Sequence, residues 1–457
     1  MRVPRLEKKL GIEVYATRSL GIGGVIRFFP EDFMVEEILV NGSKAEIFPT
    51  EIQVRDASSP IKRHLLCVLV KRNWETLQAV RAIARQLGVS VRHVGIAGLK
   101  DATAITAQHI TIEGITMEDT RKVHINDIKI HPLGYFHAKL SPYYLLGNSF
   151  KITIRRISRS RTDLQERISS VLREIQALGG VPNFFGHQRF GTMRPITHLV
   201  GKALVKGKFQ KAVMLFLAKP SPTEHPESRK AREELWKTQD FKKALEMFPK
   251  SLHYERLILR HLAKNPSDFV GAFRRLPLKL QRLFPQAYQA YIFNKILSRR
   301  IMKGLPINKA EVGDYVIEIE PSGLPNALRY KVVSRDTISE VNKAIENGKM
   351  LLAIPLAGFK QKFSQGIQGE IEKNVLEEEK VSLEKFKIKG FPELSLKGEL
   401  RAALARIKEF FIHEVTSDEA NPRKNKVVTS FMLYRGSYAT ILLRELMKPR
   451  NPIKAGF

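Results

Sequence analysis

Asp101 stands in the segment Gly98-Leu99-Lys100-Asp101-Ala102-Thr103-Ala104-Ile105-Thr106-Ala107-Gln108, a single carboxylate between a glycine-lysine approach and a run of small residues. An aspartate with an ordinary pKa of ~3.9 is ionised at neutral pH and can act as a nucleophile in covalent catalysis. Burial would raise that pKa, so a reactive carboxylate here needs a cation beside it. Lys100 is adjacent in sequence, although neighbouring side chains often diverge; Arg189, from a distant segment, is a second candidate. The competing reading is that Asp101 merely N-caps a short helix through Ala102 to Gln108. Taken alone, the segment favours the cap.

Three other clusters carry chemistry of a related kind. Pro30-Glu31-Asp32-Phe33-Met34-Val35-Glu36-Glu37 crowds acids beside an aromatic, or is simply a turn entering an amphipathic strand. Asn148 and Phe150 are two residues apart, so a strand would place both on one side. Asn can read a base edge and Phe can stack on it, as single-stranded RNA recognition requires. The plain alternative is a Gly-Asn turn followed by a core Phe. Pro182-Asn183-Phe184-Phe185-Gly186-His187-Gln188-Arg189-Phe190-Gly191 sets three aromatics around an arginine, as a stacking platform or a tight hinge. Arg155-Arg156-Ile157-Ser158-Arg159-Ser160-Arg161 reads as a solvated face or a phosphate track.

Charge narrows the partner. The chain has 77 Lys+Arg against 46 Asp+Glu, a formal net charge of +31, spread over its whole length. Such a distribution suits a long path of phosphate contacts, so nucleic acid is the favoured partner. The same composition also suits a charge-rich surface of the kind found in heat-adapted proteins. No run of 18 or more apolar residues predicts a membrane span, and no basic amphipathic helix stands out. The first ten residues are basic without an apolar stretch, which argues against secretion and leaves the cytoplasm as the expected location.

Several chemistries find no support. Gly21-Ile22-Gly23-Gly24 leads into a strand instead of leaving one, so it is not a dinucleotide or SAM-type loop. There is no Walker A pattern and no His-x-x-x-His pair, and no metal site is expected. The single cysteine, Cys67, lies in an apolar run that reads as a buried strand and excludes a Cys-type zinc site.

A chain of 457 residues with 43% hydrophobic content predicts two or three cores. Strand texture marks Val25 to Ile38, Leu65 to Val70, Gln108 to Ile115 and Ser149 to Ile157; Thr76 to Leu87 has helical spacing. From Pro195 to Ile301 the pattern is helical, notably over Arg229 to Phe248 and Leu280 to Ile301, with Ala218 to Pro226 as a loop. Strands return at Gly313 to Ile319, Lys349 to Ile354 and Val428 to Tyr434. Glu377-Glu378-Glu379-Lys380 reads as a solvated helix end. A helical middle between mixed ends suggests one α+β domain split by an inserted domain.

Taken together in chain order, these motifs closely resemble the TruD family of tRNA pseudouridine synthases in its archaeal form. The Gly98 to Gln108 segment is similar to the family's catalytic signature. Pro30 to Phe33 with Val35 and Glu37, then Lys71, Asn73 and Thr76, then Gly147, Asn148 and Phe150, match further elements. So do Phe185 to Gly191, Glu393 to Gly398 and Gly436 to Thr440. The resemblance implies an α+β protein with a split catalytic domain of the pseudouridine synthase fold, a mixed, mainly antiparallel sheet with flanking helices. Residues 1–188 and 405–457 would form it, interrupted by a helix-rich α/β TRUD domain at 189–404. It implies Asp101 as nucleophile with Lys100 and Glu37 in the catalytic set. Phe150 would stack on the base, in place of the tyrosine of other synthases, with Asn148, Arg189 and Phe33 also binding substrate.

The implied reaction detaches uracil from N1 and reattaches it through C5, with no net redox change. The expectation is therefore tRNA as partner, no cofactor, no metal and no membrane; the oligomeric state is left open, a monomer included. Position 13 in the D-arm is the implied target. Other readings are a synthase acting on another tRNA site or RNA, or a non-catalytic RNA-binding or remodelling protein. A methyltransferase is disfavoured by the missing SAM loop. A carboxylate can serve this isomerisation by attack on C1′ of the ribose, by attack on C6 of the base, or as a base at C2′.

Overall fold

The computed structural model describes residues 2–49 and 64–457. Six strands form in the first part of the chain: β1 (Phe33–Leu39), β2 (His64–Arg72), β3 (Val94–Ile96), β4 (Ile105–Glu113), β5 (Ile128–Phe136) and β6 (Leu145–Ile157). A two-residue strand, β7 (Val181–Pro182), follows. After a run of helices come β8 (Tyr315–Ile319), β9 (Pro325–Val332), β10 (Met350–Leu356) and β11 (Glu399–Ala402). The chain closes with β12 (Leu404–Ala405), β13 (Ile407–Ser417) and β14 (Asn425–Tyr434).

The larger sheet has the order β13-β14-β6-β1-β4-β2-β5, with β3 paired to β4 at the side. Only β1 and β4 run parallel; the other pairs are antiparallel. The smaller sheet, β11-β10-β8-β9, lies wholly within residues 315–402. Where the chain leaves and re-enters the large sheet, β7 and β12 pair in a short ribbon.

Period-two burial builds the centre of the large sheet. Phe33, Val35, Glu37 and Leu39 all point to one buried face of β1, and across from them on β6 lie Ile152, Phe150 and Asn148. The helix Thr76–Gln86 is held at its start by Glu75, whose carboxylate accepts from the Leu77 and Gln78 amides. Its Ala79, Val80 and Ile83 pack on Leu65, Cys67 and Ile110. Cys67 is fully buried in β2 as expected, and burial pushes its thiol pKa up.

The expected strand from Val25 begins only at Phe33. Arg27 takes a left-handed φ of 57°, and Pro30 opens a single turn over Pro30–Asp32. The helical middle is present, but Arg229 to Phe248 is two helices, Pro226–Thr238 and Phe241–Met247, broken at Gln239 with φ 52°. The helix Leu278–Met302 runs through the centre of this region, and its Asn294 bonds the Leu10 carbonyl and both the amide and carbonyl of Phe185. One apolar core continues from Phe33 and Phe150 through Phe184 to Leu297 and Ile354.

Two surface expectations are corrected. The helix does end at Glu378 with Glu377, Glu378 and Lys380 exposed as expected, but Glu379 departs from that reading: it is buried and takes hydrogen bonds from Lys202, Lys295, Tyr288 and Tyr291. Four partners offset the desolvation that would otherwise exclude a buried carboxylate. Arg155 is not on a phosphate track either. It is buried against Asp32, Asp418 and Glu419 at 2.8–2.9 Å, because its place opposite Val25 turns it inward.

Candidate active site

The chain leaves β3 at Ile96 and enters β4 at Ile105, so Asp101 lies on an irregular bend between two strands. No helix follows it, and the capping alternative fails. From Ile105 onward the backbone pairs with β2 on one side and its start pairs with β1 on the other. A single helical turn carries a nucleation cost and cannot compete with two ladders.

The bend is pinned from below. Lys71, at the end of β2 and fully buried, donates to the carbonyl of Asp101 at 2.8 Å and to that of Trp74 at 2.6 Å. The Thr76 hydroxyl accepts from the Lys100 amide at 3.0 Å, and Gln108 donates to the Gly98 carbonyl at 3.1 Å. Burial pushes the Lys71 ammonium down to about 8, against the raising pull of the Asp101 charge. Between pH 8 and the ordinary 10.5 the unfolded chain therefore binds the proton that the folded chain releases. Stability rises with pH across that window, and we expect Lys71→Met to remove this rise in thermal melts at stepped pH. A rise that survives in the variant would assign it to another group.

The cation beside Asp101 is one the sequence did not single out. The Arg27 Nη2 donates to Asp101 Oδ1 at 2.8 Å, while its Nη1 donates to the Gly456 carbonyl at 2.7 Å. The Arg27 guanidinium lies 3.9 Å from the centre of the Phe33 ring, a cation–π contact. Phe33 meets Phe150 edge-on at 6.2 Å, and Phe150 lies on Phe431 at 5.3 Å with the planes 27° apart. An aromatic stack thus supports the arginine that holds the carboxylate. The Asp101 side chain keeps 31% of its exposure, so it remains reachable from solvent.

Lys100 points elsewhere. Its Nζ sits 2.6 Å from Glu37 Oε2 and 2.7 Å from Asn148 Oδ1, and it forms no ion pair with Asp101. Glu37 is wholly buried and also accepts from the His109 amide at 3.0 Å. Burial alone would raise its pKa, but the His109 imidazole, its Nδ1 3.5 Å from Glu37 Oε1, and the Lys100 charge bring it below the usual carboxylate value. Asn148 has its oxygen on Lys100, and its Nδ2 protons have no protein partner among the described residues. Phe150 is 6% exposed and offers only a small part of its ring.

Arg189 is not brought to Asp101. It lies 5.4 Å from the Phe185 ring, which also carries Arg401 at 4.0 Å. Arg401 in turn donates to the Asn183 side chain at 2.6 Å and to the Gly436 carbonyl at 2.8 Å. Segment 182–191 therefore joins β11, the helix Leu278–Met302 and the turn after β14. The hinge reading accounts for these contacts. Among the described residues, no group of His, Cys, Asp or Glu is arranged to hold a metal, and no helix is long and apolar enough to cross a membrane.

The arrangement offers one half-exposed carboxylate oriented by an arginine, on a bend fixed by buried hydrogen bonds. That can attack an electrophilic carbon or remove a proton, in a setting prearranged for charge. The sequence pattern of the family described as tRNA pseudouridine synthase D (TruD) matches residues 9–446. The chain belongs to the TruD family.

The TruD likeness extends over the whole fold. The Methanosarcina mazei protein named "Probable tRNA pseudouridine synthase D" is 42% identical over 454 residues, covering 99% of this chain and 100% of that protein. The Thermococcus gammatolerans protein of the same name is 36% identical, covering 94% and 95%. The crystal structure of the TruD-family protein from Methanosarcina mazei superposes with a TM-score of 0.83, over 99% of this chain and 100% of that one. Several of the TruD motifs read from the sequence meet at one bend: Lys71, Thr76, Glu37 and Asn148 contact it directly, Phe33 reaches it through Arg27, and Phe150 through Phe33 and Arg27, whereas the Phe185 to Gly191 motif lies apart from it.

Proposed function

We propose that this chain isomerises a uridine of tRNA to pseudouridine, at position 13 in the D-arm, with Asp101 as the nucleophile. The observation that carries the reading is the Asp101–Arg27 pair on the bend between β3 and β4, partly open to solvent. In the reaction the N1–C1′ bond breaks, a C5–C1′ bond forms, the C5 hydrogen leaves as a proton and N1 takes one up. Arg27 aims the Asp101 carboxylate. Asn148, with its amide protons free, is the base-reading group, and the small exposed part of the Phe150 ring is the aromatic surface for the flipped base; Phe33, 1% exposed, contributes from beneath through its contacts with Arg27 and Phe150. Extrusion of the base costs a few kcal/mol, and stacking returns ~1–3 kcal/mol.

Lys100 and Glu37 position the bend and Asn148, and do not touch the reacting atoms in this scheme. Arg189 belongs to the substrate-binding surface through the RNA backbone instead of the base, since it lies apart from Asp101. The unit that binds RNA comprises a catalytic domain of 1–188 and 405–457 with the inserted domain 189–404. The distribution of the two sheets supports this division.

Release of tritium from tRNA carrying 5-³H-uridine tests the reading. The wild-type chain is expected to release it, and to release none from a tRNA with cytidine at position 13. Release from that second tRNA would move the target elsewhere, and none from any tRNA would end the enzyme reading. Phe150→Leu keeps an apolar side chain but removes the π face. We expect turnover to fall at least about tenfold, the scale of one lost stacking contact. An unchanged rate would leave Phe150 as packing only.

A further inference from the structure

A second feature lies beside the Asp101 site: a cleft of about 1180 Å³ walled by the first residues, the Gly21–Val25 stretch, the start of the helix Arg161–Leu178 and residues 447–455. It is larger than the ~300–1,000 Å³ typical of small-molecule pockets. Its charge is one-sided, since no carboxylate is among its lining residues. Arg2, Arg5, Arg450 and Lys454 are exposed on its walls, and their side chains have no hydrogen-bond or ion-pair partner among the described residues.

Three further cations of the lining are held in place from behind. Asp163 takes hydrogen bonds from Arg159 at 2.9 Å and Arg167 at 2.6 Å, and Lys448 donates to the carbonyls of Thr17 and Ser19. Fixed cations behind and free cations in front make a surface suited to several phosphates at once. A membrane surface fits less well, because Leu20 is the one large apolar side chain of the lining that is more than half exposed.

The cleft also adjoins, along the chain, the residues that hold Asp101. Val25, on its floor, pairs with Arg155, and Ile26 donates its amide to the carbonyl of Ala455, another lining residue. Arg27 comes next and grips both Gly456 and Asp101. Two residues of chain, at most ~7 Å, separate the floor from the arginine that orients the nucleophile.

We propose that this cleft is a track for the RNA phosphodiester backbone, carrying several consecutive phosphates of the tRNA up to Asp101. The proposal rests on the tRNA reading above. It assigns Arg5, Arg450 and Lys454 as backbone contacts that set affinity without touching the base.

The test is the triple variant Arg5→Glu/Arg450→Glu/Lys454→Glu, with Lys230→Glu/Lys237→Glu/Lys242→Glu, three exposed lysines away from the cleft, as the control of equal net charge. Binding of an unmodified tRNA transcript is measured from low to high salt, together with KM and kcat for tritium release. Each lost phosphate contact should lower the salt slope of log affinity by ~0.7–0.9, about 2 in all. The Kd and KM should rise at least about tenfold, with the loss falling on KM instead of kcat. Equal Kd and equal slope in the variant and the wild type would overturn the proposal. So would loss of binding to phosphatidylserine vesicles with tRNA affinity intact, which would make the cleft a membrane contact. Wild-type tritium release is scored separately: its absence sinks the pseudouridine reading, while the salt slope still judges the cleft.

Discussion

Asp101→Ala loses tritium release by at least about 10⁴-fold while its tRNA affinity stays within about threefold of the wild type, the pattern of a lost nucleophile. The separation of the two effects follows from the geometry. The Asp101 carboxylate is 31% exposed and its ion-pair partner Arg27 is 11% exposed; when the carboxylate is removed the guanidinium keeps the Gly456 carbonyl and the Phe33 ring as partners. A partly exposed pair of that kind should cost less to break than the ~3–5 kcal/mol of a wholly buried one, and the fold should persist. The bend itself is held through the Asp101 carbonyl and the Lys100 amide, which the substitution leaves in place. Arg27→Ala removes the orienting charge and should cost about 10²–10³-fold in kcat, as loss of one preorganised electrostatic partner does. Arg27→Lys keeps the charge but not the fork that spans Gly456 and Asp101, and should fall between. Full activity in Asp101→Ala would transfer the chemistry to another group. Equal loss of binding and turnover would make Asp101 a structural residue.

The second large effect is on stability. Lys100→Met strands Glu37, a wholly buried carboxylate whose ion-pair partner is the Lys100 ammonium at 2.6 Å. Breaking a buried pair by removing one member costs about 3–5 kcal/mol, well above the exposed case. In a chain this long that corresponds to a melting temperature lower by about 3–5 °C. The double variant Lys100→Met/Glu37→Leu removes both charges and should recover most of the loss, since two apolar groups need no partner. Acid should act on the wild type in the same sense. The Glu37 pKa lies below its ordinary 4.5 in the folded chain, so the unfolded chain takes up the proton first. Its stabilising contribution is present in full above that value and is lost as the pH falls below it. Additive losses in the double variant would mean that Lys100 and Glu37 act independently.

Local signals carried much of the fold. Alternation located β1, β2, β4, β6 and β14, and helical spacing marked Thr76–Gln86 and Leu278–Met302. Boundaries failed where backbone geometry overrode side-chain pattern, as at Arg27 and Gln239, both with positive φ. Charge patterns misled where a neighbour in space was unknown. Glu379 and Arg155 look like surface residues in a charged run, yet each is buried against partners more than 80 residues away.

By itself the sequence determined the family order of the motifs, the basic character of the chain and a helix-rich middle between strand-rich ends. These follow from residue type and short-range spacing, which a chain carries before it folds. Tertiary structure decided which groups meet. It gave Asp101 an arginine 74 residues away and sent the adjacent Lys100 to Glu37 and Asn148. It also kept Arg189 with Phe185. The physical reason is that an ion pair depends on distance through space, and spacing along the chain fixes that distance only within one helix or strand. At a bend such as Ala97–Ala104, side-chain direction is set by the strands on either side and by the groups that close over it.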